Sequence, residues 1–176
     1  MKFGEIATYY NGYAFKPAQY SQEGRQIIRI QDLTGNAYES NRFDGELPER
    51  HHVKQGDVLI SWSASLGVFV WYGEDAFLNQ HIFKVVFDKA DVSVPFFVHQ
   101  ARYVIGKAGH LAHGSTMTHL TKKVFDNLPF CLSPMDIQVS VATNLGLIEK
   151  QIIEAKKQLI AFDKLVKSRF NWEVAA

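Results

Sequence analysis

Apolar positions in the last quarter of the chain recur in alternating steps of four and three: Val141, Leu145, Ile148, Ile152, Ala155, Leu159, Phe162 and Val166. That is a heptad seam, the period of a coiled coil rather than of a globular helix. It predicts one long helix over 133–172, with Ser133 placed to cap, Pro134 suited to the first helical position and Asp136 completing a capping-box pattern. Gly146 weakens the early turns by roughly 1 kcal/mol against alanine. About 35 residues at 1.5 Å each make a rod of roughly 50 Å. An apolar seam of that length has to be covered, and the chain holds no second heptad run, so the covering helix is expected from another chain.

Upstream the pattern changes from helical to extended. Short apolar, β-branched runs at 26–30, 58–62, 67–72 and 82–87 stand between glycines and polar residues, and each reads as a strand. Interleaved aromatics Tyr9, Tyr10, Tyr13 and Phe15 around Gly12 suggest short strands about a turn over 2–16, and 32–50 reads as a polar loop. Pro95 opens a helix that Gly106 closes. A loop of small and hydroxyl residues over 109–118 precedes a short helix at 121–127 and a strand at 128–132. The expected class is α+β: a domain with a mostly antiparallel sheet over 1–132, then one long coiled-coil helix over 133–176.

Composition bounds the rest. The chain has 176 residues, 47% of them hydrophobic, with 19 basic and 18 acidic side chains, so bulk charge points to no class of partner. The distribution is uneven, since no acidic residue falls between Val92 and Phe125 while Arg102, Lys107, Lys122, Lys123 and four histidines do. That stretch could face an anion. Cys131 is the single cysteine, which rules out an internal disulfide and leads us to expect a buried, structural thiol. With no signal peptide and no apolar run of membrane-spanning length, a cytoplasmic protein without membrane contact is expected.

Catalytic chemistry finds no footing. His51, His52, His110, His113 and His119 invite a metal, yet no pair has the i, i+4 spacing of helical ligands and no Cys-x-x-Cys occurs, so no metal and no cofactor are expected. No glycine-rich phosphate loop is present. Asp126-Asn127-Leu128-Pro129-Phe130 differs from the Asp-Pro-Pro-Phe motif of amino-methyltransferases by an extra residue and unpaired prolines. Nothing pairs a nucleophile with a base. What remains is recognition. His113, Gly114, Ser115, Thr116 and Thr118 followed by Lys122 and Lys123 offer hydroxyls, amides and lysines, the groups that contact phosphates, or simply a capped helix start. Asn79 and Gln80 carry amides that read base edges or form a turn, and Trp62 lies beside a strand end.

The order of short pieces then becomes informative. Gly12-Tyr13-Ala14-Phe15, the 24–30 strand with Gln31-Asp32-Leu33, Gly56-Asp57-Val58-Leu59-Ile60-Ser61 with Gly67, Asn79-Gln80, Gly114 to Thr121, and Leu128-Pro129 leading to Ser133-Pro134 and Gln138 follow one another along the whole chain. In this arrangement the sequence resembles the specificity subunits of type I restriction-modification systems. The resemblance implies a target recognition domain followed by a helical spacer, without catalytic activity. In that family two such units share a chain, their spacers pair antiparallel, and methyltransferase and restriction subunits dock on the scaffold.

Here there is one unit. Its end, 170–174, looks like the lead-in to a further domain and its start, 2–6, like the stretch just after such a lead-in, so a half-length subunit and a piece of a longer one both fit. Contacts to double-stranded DNA would fall on Lys16, Arg29, Gln31, Trp62, Ser63, Asn79, Gln80, His113, Gly114, Ser115, Thr116, Thr118, Lys122 and Lys123, with a homodimer formed through the seam. Two rivals remain: a coiled-coil adaptor for a protein partner, and an unrecognised small hydrolase or transferase. Salt-dependent duplex binding separates the first reading from both, and turnover with any cofactor would favour the second rival.

Overall fold

A computed structural model describes residues 1–111 and 121–174. Strand β5 (Val58–Ser61) is central, and all four of its residues are buried. A strand buried on both faces needs cover on both sides. One side is helical: Val58 and Ile60 face a cluster with Phe3, Tyr9, Phe83, Phe97, Phe125 and Phe130. On the other, Leu59 meets Ile28, Val53, Ala76, Leu78 and Ile82.

β5 belongs to a four-stranded antiparallel sheet in the order β1-β8-β5-β6, with β1 Thr8–Asn11, β6 Gly67–Val70 and β8 Ile82–Val86. Its registers run Thr8↔Val86, Val58↔Val85 and Val58↔Val70. A second sheet has the order β3-β2-β7-β4, from β2 Arg25–Ile28, β3 Arg42–Phe43, β4 His52–Val53 and β7 Ala76–Leu78. Here β2 and β7 run parallel, Ile27 opposite Phe77 and Ile28 opposite Leu78, the one departure from antiparallel pairing among the described strands. Lys84 stands opposite Leu59. Its Nζ lies 3.0 Å from Asp57 Oδ2 and donates to His52 O at 2.7 Å, so the partly buried charge is paired.

Among the described residues the α-helices are α1 Ile30–Thr34, α2 Val94–Leu111, α3 Lys122–Asp126 and α4 Met135–Val174. α2 lays Phe97, Ala101 and Ile105 on the first sheet's cluster. α3 adds Phe125, whose ring stands 4.7 Å from Tyr9 and 5.6 Å from Phe83. The 40 residues of α4 give a rod of about 60 Å. Near its start Gln138 and Ala142 are buried; past Glu149 every described side chain is exposed.

Several expectations need correcting. The polar loop after β2 holds α1, nucleated because Asp32 Oδ2 accepts from Arg29 N at 2.8 Å. Strand β7 lies between the 67–72 and 82–87 runs, where no strand is expected. α2 runs through Gly106 to Leu111, since a glycine weakens a helix without ending it. The 128–132 strand is no strand: Pro129 makes a single bridge to Lys2, as a proline without N–H cannot continue a ladder. Cys131 is exposed, not buried. The long helix spans Met135–Val174 rather than 133–172.

Candidate nucleic-acid interface

The chain leaves β1 at Asn11 and turns across the end of the first sheet. Gly12 N donates to Ile82 O at 3.1 Å and Tyr13 N to Leu78 O at 2.7 Å. A Cβ at Gly12 would overlap the Asn79 carbonyl, so glycine is what lets the two backbones close up. Asn79, Gln80 and His81 form the turn from β7 to β8, pinned by Asn79 N to Ile28 O at 3.1 Å and Ile82 N to Asn79 O at 3.2 Å. The first of these bonds follows from the parallel β2–β7 pairing. It brings the residues after β2 beside the turn, where α1 begins.

The result is a cleft of about 210 Å³ lined by Phe15, Tyr20, Arg29, Ile30, Gln31, Asn79, Gln80 and His81. Four residues singled out from sequence, Arg29, Gln31, Asn79 and Gln80, thus share one hollow although some fifty positions separate the pairs. Asn79 is 9% exposed and its Oδ1 accepts from His81 N at 3.4 Å. Gln80 is exposed, with its amide nitrogen 3.3 Å from His81 Nε2. Three carboxamides, a guanidinium and the exposed Tyr20 ring give donors, acceptors, one positive charge and one stacking face, while the Phe15 ring is buried. Sequence reasoning missed Tyr20, Phe15 and His81 as cleft residues. The Gln80-His81 pair next to Asn79 was the available signal for the last.

The other candidates lie around this cleft or apart from it. Trp62 stacks on Phe83 at 5.9 Å and tilts against His81 at 5.6 Å, forming the wall behind the turn. Ser63 is 5% exposed and contributes little surface. Lys16 is exposed beside Phe15, its N donating to Gln19 Oε1 at 2.9 Å. Lys122 and Lys123 are on α3 and do not line the cleft. Lys122 Nζ is held 2.6 Å from Asp126 Oδ2, which uses part of its charge locally, while Lys123 is exposed. His113, Gly114, Ser115, Thr116 and Thr118 lie outside the described residues.

The histidines at 51 and 52 serve the fold. His51 is 6% exposed against the Tyr13 ring, and burial with the adjacent Arg50 charge pushes its pKa below the ordinary 6.5. His52 Nε2 sits 2.7 Å from Leu47 O. Among the described residues no group of His, Cys, Asp or Glu is arranged to hold a metal, and no helix is long and apolar enough to cross a membrane.

The heptad positions form an exposed stripe along α4. Val141 and Leu145 are 38% exposed, Ile148 and Ile152 about half, and Leu159, Phe162 and Val166 between 63% and 70%. An uncovered apolar stripe of this length marks an interaction surface.

The described residues thus form a two-sheet domain with a polar, amide-rich cleft, carrying a long helix with an exposed apolar stripe. The model of the type I restriction modification DNA specificity domain matches residues 1–161, and the chain belongs to that family. It is 26% identical over 174 residues to the EcoBI specificity subunit, from a type I restriction enzyme of Escherichia coli, covering 97% of this chain and 36% of that protein. The fold resembles the HsdS subunit from Thermoanaerobacter tengcongensis, with TM-score 0.68 and 18% identity over 89% of this chain and 38% of the other. It also resembles the type I restriction-modification S subunit from M. genitalium, with TM-score 0.61 and 14% identity over 88% and 39%. The chain spans a little over a third of the length of these relatives.

Proposed function

We propose that this chain is a DNA target recognition domain with its spacer helix, which pairs through the heptad seam with a second copy and reads one half of a split, palindromic DNA site in the cytoplasm. The observation that carries this reading is the cleft, where Arg29, Gln31, Asn79 and Gln80 converge in a chain of a DNA specificity family. Carboxamides pair with adenine edges and guanidinium with guanine in the major groove. The lysines fix register on phosphates without reading sequence. The division falls near residue 133, with the domain before it and the arm after. Methyltransferase subunits, and restriction subunits in a full complex, dock on this scaffold and supply all chemistry; the chain itself catalyses nothing. Two-fold symmetry makes the two half-sites inverted.

Titration of random-sequence duplex DNA at several salt concentrations tests the reading. Binding should weaken steeply as salt rises, with a log–log slope set by the number of phosphates neutralised. An affinity that does not respond to salt would remove the DNA reading and leave a protein-binding adaptor.

A further inference from the structure

Helix α4 lies against the domain along its first turns, with Ala142 in the core cluster, and two polar contacts mark the ends of that stretch. At its head Gln138, 1% exposed, accepts at Oε1 from Ser93 N at 2.9 Å and donates from Nε2 to Ser133 O at 2.8 Å. This stitches the first turn of α4 to the segment that opens α2. Three turns on, Glu149 Oε1 accepts from Arg102 Nη1 at 3.0 Å and lies 3.5 Å from His99 Nδ1. Arg102 also donates from Nε to Val68 O at 3.2 Å. A single guanidinium therefore joins the arm to β6 of the sheet whose end forms the cleft. Between the two points only Ala142 of α4 is buried, and Gly146 has open space around it.

Contacts confined to the head, at Gln138 and Ala142, leave the far end of a rod free to swing; a further one at Glu149 narrows its direction. Gln138 and Glu149 are about 16 Å apart along the helix, and Val174 is about 54 Å from Gln138. We propose that Glu149 is a positioning residue that sets the direction of the arm against the domain and so selects the gap between the two half-sites. The gap clause rests on the paired-domain reading above; the joint itself does not. Should the second contact yield by one hydrogen-bond length, ~3 Å, the far end swings about 10 Å by the lever ratio. That is about three base pairs of DNA. The Arg102 and Glu149 side chains are 42% and 46% exposed, so losing the pair costs little stability. What is lost is direction.

The test uses the full chain with Cys131→Ser and spin labels at Gln22→Cys and Ser168→Cys, diluted into unlabelled chain so that distances within one chain are read. The expected label-to-label distribution is narrow. Glu149→Ala should broaden it by about 10 Å with unchanged far-UV dichroism, and Arg102→Ala, which removes the same bond from the α2 side, should broaden it likewise. The same chains are then used to select from a random-sequence duplex library. The unaltered chain should enrich one gap length, and Glu149→Ala the same half-sites with gaps spread over about three base pairs. Distances unchanged by Glu149→Ala would overturn the joint. Broadened distances with an unaltered gap would overturn its role in spacing. An unaltered chain that enriches no duplex overturns the DNA reading and with it the gap, while the distances still decide the joint.

Discussion

Replacing Phe162 by Asp should convert a dimer into folded monomers. Phe162 is 63% exposed in the single chain, between Leu159 at 70% and Val166 at 66%. Fully burying a side chain of this size is worth about 1.5–3 kcal/mol, so covering the exposed two thirds contributes roughly 1–2 kcal/mol per copy. Two-fold symmetry counts the change twice, making about 2–4 kcal/mol in lost burial, and at 1.4 kcal/mol per tenfold the dissociation constant rises about 30-fold to about 700-fold. The carboxylate, facing an apolar seam, adds to this. Phe162 lies well past Glu149, which pairs with Arg102 of α2, and the residues between them are exposed, so the domain core should be untouched. Sedimentation velocity across a concentration series reads the dimer, and near-UV dichroism reads the core. An unaltered chain that stays monomeric at tens of micromolar (an order-of-magnitude working range) would refute the seam as a homodimer interface. A Phe162→Asp chain that dimerises as before would refute it equally.

Three further outcomes concern the domain. Lys123→Ala should lower the salt slope of duplex binding by about one without altering sequence preference, and Lys122→Ala by less, because Asp126 already holds it at 2.6 Å; a changed preference with an unchanged slope would mean base reading. Gln80→Ala, at an exposed cleft position, should change the preferred bases and leave thermal unfolding within about 0.5 kcal/mol of the original; an unaltered motif would remove Gln80 from the readout. His51 has a pKa lowered in the fold from 6.5, so below that value the unfolded chain takes up the proton more readily. Stability should therefore be complete above about pH 6.5 and fall as pH drops toward the lower folded value. Denaturant midpoints at pH 8 and pH 5.5 for the original and His51→Gln check this, and an identical pH trend in both would assign the trend elsewhere.

The parts of the fold that could be read in advance were those with local causes. β5, β6 and β8 are β-branched runs between turn residues, and α4 announces itself by its heptads. Other elements depend on distant partners. β7 is three residues long and takes its meaning only from β2 and β4 on either side. Cys131 stands in an apolar run yet is exposed, because its neighbours Phe130 and Leu132 are the residues that turn to the aromatic cluster. The candidate site divides the same way. Asn79 and Gln80 could be picked out by type, and so could Arg29 and Gln31. Their meeting in one cleft comes from a parallel strand pair, which leaves no periodic mark in so short a stretch. The Arg29–Asp32 bond that starts α1 did have a sequence signal, an acidic residue three places after Arg29.

The most direct test of the central claim is the set of methylated sites in a host that carries this chain with its methyltransferase partner. The rod of about 60 Å spans at most about 18 base pairs at 3.4 Å each. The expected motif is two short inverted half-sites with centres within that distance, separated by an unread gap. A continuous or asymmetric motif, from this chain acting without another specificity domain, would contradict the account, because two identical domains related by a two-fold axis cannot read one.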